Sequence, residues 1–442
     1  MNEFGADEFP RRWANFIENL AVKNSNGDQL PVEELPGARW RIRSAREKER
    51  VTLTYNVVLN HEDHKWSGGI DGVAFTRDWG VFYTGRTFLI VNGKERNNVA
   101  ISFQIPNEWH VTASWKTAKN RKNMFVAKDL SDLMDSMFFA GTHDETSVQR
   151  DDFELVFALG GEGIAKQKEE YKKLAQGVLN YYIDLMGGPP YPRSSGKFTK
   201  SLVIINAGKD LDGEAIGNHI SLIFDPNGDS QSKNLAKFLF AHEFFHFWNG
   251  KSIKNADTKE EWFKEGITSY YALKALSHIG ALTEEDYFKT LGGFFYPRYA
   301  ADPGYGRSSM RDVAAGSEKH KHWGLIYGGG LFAGICQDIS IMRGTSGQKS
   351  FDDLLRDLFK DFGGTDKSYT TADLQRYSSA LSKKDQTGFF GQYISGIAPV
   401  PLTACMSSAG LIAEIKNDRL LISKKRSADK MEEAILNGVL GK

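Results

Sequence analysis

His242-Glu243-Phe244-Phe245-His246 is the stretch that decides how this chain is read. On an α-helix, residues four apart stand one turn above each other, so the two imidazoles share a face. Two imidazoles so placed bind one metal ion, and the Glu between them lies beside it as a candidate general base. Glu265, separated from His246 by eighteen residues, lies within Glu261-Trp262-Phe263-Lys264-Glu265-Gly266. Two His plus a carboxylate from a following helix form the ligand set of catalytic zinc and leave a fourth position for water. Three acids compete for the third place. Glu260 and Glu261 fall in the first turn of a helix expected to open with the capping-box pattern Thr258-Lys259-Glu260-Glu261, where carboxylates are favoured anyway. Glu265 lies a turn further in among aromatic residues, where a bare carboxylate is costly, and is the expected ligand. Glu243, rotated about 100° from His242 around the helix, is poorly placed to bind the same ion and well placed to move a proton. Thr268 and Ser269 are candidates to orient the ligands, with simple packing as the alternative.

The rest of the chain sets limits on this chemistry. Its 442 residues predict about three domains. Lys plus Arg, 56, balances Asp plus Glu, 56, which argues against a nucleic-acid partner. No run of 18 apolar residues is present, so no membrane-spanning helix is expected. Met1 to Asp7 lacks the features of a signal peptide, which leaves the compartment open. The two cysteines, Cys336 and Cys405, could pair, but buried thiols are the expectation, because a chain this long builds its own core. His61, His64, His110 and His143 are expected on the surface, and His320 and His322 in a loop, with a place at the edge of the cleft as the alternative.

Periodicity divides the chain. Val51, Leu53, Tyr55 and Val57 alternate with polar residues, and further short runs at 86–91, 101–105, 111–115 and 154–158 read as strands. Turns fall at Asn92-Gly93 and Pro106-Asn107. Helical spacing begins at Ala165 and stops at Gly187-Gly188-Pro189-Pro190. Strands are expected at 202–205 and 218–224, the site helix at 232–248, its successor at 258–280, and mostly helix beyond Leu291. The expected architecture is α+β and multidomain. Residues 1–163 form a β-rich domain, 164–290 a domain carrying the His-Glu-His helix, 291–412 a helical domain, and 413–442 a weakly patterned tail.

The segments His242 to Ile253 and Trp262 to Tyr271 resemble the glycyl aminopeptidase family of zinc peptidases, relatives of aminopeptidase N in the gluzincin group. Weaker similarity covers most of the chain. The resemblance implies an N-terminal antiparallel β-sandwich, a thermolysin-like catalytic domain and a helical C-terminal domain. It implies one Zn2+ per chain held by His242, His246 and Glu265, with Glu243 as the base. It also implies a tyrosine that stabilises the tetrahedral oxyanion, in a Tyr-x-Lys-Gly segment. That segment reads Tyr327-Gly328-Gly329-Gly330 here, so Tyr327 is kept and Gly329 replaces the lysine. Family members carry Gly-Gly-Leu-Glu-His ahead of the zinc helix, its Glu binding the substrate's amino terminus. Ala215-Ile216-Gly217-Asn218-His219 is the match, so Asn218 and His219 are the candidate substrate-binding residues. An amide supplies no charge for an ammonium, and Glu214 or Asp225 would have to compensate. Members usually also have strands before the region matching Phe9 and often a C-terminal PDZ domain, and the expectation here is a form without them, either naturally short or trimmed.

The resulting expectation is zinc-dependent hydrolysis of peptides, as an aminopeptidase acting on short substrates with small N-terminal residues. Asn218 motivates a second reading, an endopeptidase or unusual exopeptidase. A peptide-binding scaffold is a third, against which Glu243 argues, since a scaffold needs no base. Oligomeric state and side-chain preference are not legible.

Overall fold

A computed structural model describes residues 9–43, 49–64, 74–92, 96–119, 121–191, 199–209, 211–316 and 318–442. Met1 to Asp7 and the Gly93 half of the expected turn lie outside them. The chain is a mixed α/β multidomain protein of several small sheets and many helices. It divides into two compact units. Met1–Ser147, Leu155–Lys168 and Lys200–Asn227 form the first, and Val148–Glu154, Glu169–Thr199 and Gly228–Lys442 the second.

In the first unit, Val51–Val57 is a strand with alternating exposure, as its sequence period demands, and pairs antiparallel with Ile17–Asn24. Strand Met137–Gly141 is buried throughout and pairs on both sides, with Gly80–Thr84 and His110–Ala113. Its side chains alternate between two cores. Met137 and Phe139 join Trp13, Phe75 and Phe82, while Phe138 and Ala140 join Trp115, Phe125 and Leu133.

Two expectations fail here. The run 86–91 starts with a helical turn, Gly85–Phe88, because polar partners override the apolar alternation. The Arg86 guanidinium meets Asp135 at 2.5 Å, and Thr87 Oγ1 donates to the Thr84 carbonyl at 2.8 Å. His61 and His143 are buried rather than exposed. An imidazole is half apolar, and here His61 meets the Ala74 carbonyl at 2.7 Å while His143 stacks on Phe139 at 4.1 Å.

A five-stranded sheet is built from β1 (Asp144–Arg150), β2 (Phe153–Gly160), β3 (Lys200–Ala207), β4 (Asp212–Ile216) and β5 (His219–Phe224), in the order β1-β2-β3-β5-β4. β3 and β5 are parallel, and β4 returns antiparallel to β5. β3 and β5 read as nearly continuous apolar runs because both are buried along their length.

In the second unit, α1 (Lys168–Met186) stops where Gly187 takes the left-handed conformation, φ +77°. Helix α2 (Ser230–Phe245) is capped by Asp229, which accepts from the Ser232 amide. Helix α3 (Glu261–His278) follows a 3-10 turn at Thr258–Glu260. That turn is capped by Asp257, accepting from the Lys259 amide at 2.7 Å, and not by the expected Thr258, which already lies inside it. α3 is buried on nearly every side and packs against both α2 and α4 (Gly330–Gly344).

The approach of α3 and α4 is backbone on backbone. A Cβ on Gly266 would come within 2.3 Å of the Gly330 carbonyl carbon, and one on Gly330 within 2.2 Å of the Trp262 carbonyl oxygen. Lys274 of α3 is fully buried and tied to Asp338 of α4 at 3.3 Å and to Asp352 at 2.7 Å, which fixes the rotation of α3. The stretch Gly324–Gly344 is long and apolar enough to cross a membrane by composition, but 89% of it is buried within the protein.

The cysteines correct a further expectation. Cys336 of α4 and Cys405 of α5 (Leu402–Ser407) form a disulfide, with Cα atoms 5.4 Å apart. Packing of two helices remote in sequence created a spacing that suits the bond, which no count of residues discloses. The last thirty residues are also more ordered than their composition suggests. They complete a hairpin of β6 (Leu411–Lys416) and β7 (Arg419–Lys424), then form α6 (Lys430–Val439), which buries Ile435, Leu436 and Val439. A capping box of Asp429 and Glu432 starts that helix.

Candidate active site

Helix α2 ends at the site. His242 stands in its last turn, His246 is its C-cap, and both side chains are buried. Glu265 projects from the second turn of α3, also buried. Three atoms converge. His242 Nε2 lies 3.1 Å from His246 Nε2, and Glu265 Oε2 is 3.4 Å from the first and 3.2 Å from the second. His246 Nδ1 lies 3.1 Å from the Asn249 carbonyl, which only accepts, so Nδ1 carries a hydrogen and Nε2 is the ring atom turned towards Glu265. Burial pulls the His242 pKa down to about 4, so that ring is neutral near pH 7. Burial by itself would raise the Glu265 carboxyl, yet the ammonium groups of Lys319 and Lys264 hold it well below the ordinary range, as an anion.

Two imidazole Nε2 atoms and a carboxylate oxygen converging on one point are a set of metal donors. Bonds of about 2.0–2.2 Å to a tetrahedral metal ion set ligand atoms about 3.3–3.6 Å apart, close to the observed spacing. The donor set therefore fits a divalent metal ion. One other group among the described residues places His and carboxylate atoms within 4.8 Å, namely His110, His143 and Glu145 in the first unit. It fits poorly. Its two rings lie closer to parallel, tilted 33° with centroids 4.1 Å apart, rather than perpendicular as those of His242 and His246 do. The Thr112 hydroxyl also engages both His143 and Glu145.

The surroundings of the trio are built from the same helices. Glu243 is buried, one residue on from His242 on α2. Ser269 Oγ approaches His242 Nδ1 at 3.3 Å. The Asn249 amide donates to Thr268 Oγ1 at 3.2 Å and to the Lys264 carbonyl at 3.2 Å, locking the turn after α2 against α3. Tyr327 lies in a π-helical turn, Gly324–Gly329, just ahead of α4. Its ring stacks on Trp323, with centroids 4.8 Å apart, and faces the His242 ring at 6.0 Å. Single π turns inside helices recur at functional sites, where they re-aim one side chain. Asn218 and His219 belong to the first unit, at the β4–β5 turn. The Asn218 carbonyl accepts from Ser201 Oγ at 2.5 Å, and His219 Nδ1 accepts from the Leu202 amide at 3.2 Å.

Family comparison agrees with this arrangement. Residues 236–324, which take in the second part of α2, all of α3 and the approach to Tyr327, match the model of the M61 glycyl aminopeptidase, and residues 9–142 match that of the peptidase M61 N-terminal domain. The chain belongs to the M61 glycyl aminopeptidase family. It is accordingly a metallopeptidase. The fold is similar to that of an aminopeptidase N family protein from Idiomarina loihiensis. The two are 19% identical with a TM-score of 0.76, over 91% of this chain and 72% of that one. It is also similar to an M1 zinc metallopeptidase from Deinococcus radiodurans, described as a mutant bound to a Tyr-Ser-Ala substrate. There the identity is 15% and the TM-score 0.52, over 87% of each chain. No curated protein matches the sequence.

Within this M61 peptidase, several residues at the site were not singled out by sequence. Lys319 Nζ lies 2.6 Å from Glu265 Oε1 and 2.6 Å from Glu261 Oε2, and Lys264 Nζ adds contacts of 3.0 Å to Glu261 and 3.3 Å to Glu265. Glu261, weighed as a metal ligand, is instead the second anion of this cluster. Asn249 stood in the resemblance but had no assigned role. Its place directly after the His-containing turn was the one available signal. His322, considered for the cleft edge, is paired with Asp302 at 2.7 Å.

Proposed function

We propose that this M61 family member is a zinc-dependent aminopeptidase acting on short peptides with small N-terminal residues such as Gly or Ala. The observation that carries the zinc assignment is the convergence of His242 Nε2, His246 Nε2 and Glu265 Oε2 within 3.1–3.4 Å of one another. Two neutral imidazoles and one carboxylate, in tetrahedral spacing, are the donor set zinc prefers at catalytic sites. Zinc held there polarises a peptide carbonyl and makes a water acidic near neutral pH.

The protein residues supply the rest. Glu243 takes the proton from the attacking water and passes it to the departing amine, which typically contributes about 10²–10⁴-fold. Tyr327, fixed between Trp323 and the His242 ring, donates its hydroxyl hydrogen to the oxygen that becomes anionic on attack. Ser269 and the Asn249 carbonyl hold the two imidazoles by their Nδ1 atoms, so that Nε2 of each stays free to bind. Asn218 and His219 are read as contacts for the substrate's amino-terminal end. The three-part plan of β-sandwich, thermolysin-like catalytic domain and helical C-terminal domain, with boundaries near 163, 290 and 412, belongs to the same reading.

Asn218 favours a second reading, because an amide offers an ammonium no charge. On that reading selection for a free amino terminus is weak, and internal bonds are cut as well. Both readings are tested together by hydrolysis of a peptide panel, free and N-acetylated, in wild type and Glu243→Gln. Hydrolysis by wild type that the variant lacks supports the peptidase assignment. Equal hydrolysis by both removes Glu243 from the chemistry.

A further inference from the structure

We infer that Lys319 is a positioning residue that confines Glu265 to one-oxygen coordination and ties the tyrosine-bearing segment to the ligand helix; this rests on the metal-site reading above. The two oxygens of Glu265 have different tasks. Oε2 faces both imidazole Nε2 atoms, at 3.2 and 3.4 Å. Oε1 is turned away and held by Lys319 at 2.6 Å and, less closely, by Lys264 at 3.3 Å. An oxygen engaged by an ammonium at 2.6 Å is a poor second ligand, so a metal ion receives one oxygen from Glu265 and keeps a position open for water and substrate.

Lys319 is the stronger of the two constraints. Its side chain is 17% exposed against 27% for Lys264, and it bridges Glu265 to Glu261 at 2.6 Å each. It also comes from a separate element. Lys319 sits in the short helix Glu318–Lys321, directly ahead of the π turn that carries Tyr327, and its ammonium lies 5.5 Å from the centre of the Tyr327 ring. Lys264, by contrast, stands on α3 beside Glu265, and both carboxylates it pairs with belong to that same helix. One side chain thus links the carboxylate ligand on α3 to the segment that presents the phenol.

Metal affinity of Lys319→Met, Lys319→Arg and Lys264→Met, measured by competition with a chromogenic chelator, tests this. Loss of an orienting partner typically lowers metal affinity about 10–100-fold. We expect a loss of that size for Lys319→Met, a smaller one for Lys264→Met, and partial recovery with Lys319→Arg. The Co2+-loaded Lys319→Met protein should show weaker visible absorption than wild type, as a higher coordination number gives, and its kcat should fall more than its KM rises. Thermal unfolding of each variant without metal separates these effects from a general loss of fold. Wild-type affinity and an unchanged Co2+ spectrum in Lys319→Met would overturn the inference alone. A wild-type protein that binds no metal would overturn the metal-site reading and the inference with it.

Discussion

Replacing Glu243 by Gln exchanges one carboxylate oxygen for an NH2 group and removes the proposed base with almost no change in side-chain volume. Three features of the structure set the size of the effect. Glu243 lies outside the trio of converging atoms, so the variant should keep its metal. The neighbouring carboxylates cannot take over the proton. Glu265 is shared between the two imidazoles and two ammonium groups, and Glu261 is neutralised by Lys319 at 2.6 Å and Lys264 at 3.0 Å. With those two carboxylates engaged, the loss belongs in the upper half of the usual range, about 10³–10⁴-fold, or roughly 4–5 kcal/mol of transition-state stabilisation. The assay is kcat/KM for alanyl and glycyl peptides in preparations whose metal content has been measured first. A fully metal-loaded Glu243→Gln protein that turns over within about tenfold of wild type would refute the reasoning. It would mean the proton goes to a group the structure shows already engaged.

Tyr327→Phe should lower kcat by about 10²–10³-fold with little change in KM, because the oxyanion exists only along the reaction path; equal effects on both constants would assign the tyrosine to ground-state binding. Free peptides should be preferred over N-acetylated ones by less than about tenfold, and Asn218→Glu should raise that preference, since a charged hydrogen bond is worth about 1.5–3 kcal/mol. Strong rejection of acetylated peptides by wild type would instead credit Glu214 or another acid with the missing charge. His143 gives a pH dependence. Burial, and then the neighbouring His110, lower its pKa from 6.5 to about 3, so between those values the unfolded chain binds a proton that the folded chain refuses. Stability should therefore fall as pH drops from about 6.5, by up to about 1.4 kcal/mol per pH unit from this group. Denaturation curves at several pH values should show a shallower slope in His143→Gln, and an identical slope would contradict the assignment.

Much of the site was legible because helix geometry converts spacing into direction. The four-residue step from His242 to His246 and the depth of Glu265 within its helix each follow from the 3.6-residue turn. The alternation of Val51 to Val57 gave the matching strand for the same reason, a period of two. What could not be read depends on elements brought together from far apart. Lys319 meets Glu265 across 54 positions of sequence, and no local pattern foretells that pairing. The Cys336–Cys405 bond spans 69 positions and waits on the packing of α4 and α5. At Arg86 the apolar pattern misled, because a partly buried ion pair with Asp135 favours a helical turn over a strand. Gly329 alone stands where the resembling family has a lysine, and Gly330, the glycine that pattern keeps, has a packing reason, the contact with Gly266 on α3.

The measurement that bears most directly on the central claim is the metal content of purified protein, by elemental analysis, for wild type and His246→Ala. The account predicts about one zinc per chain in wild type and loss of most of it in the variant, since the trio would drop to two donors. Zinc retained in full by His246→Ala, or a wild-type protein that carries and binds none, would contradict it.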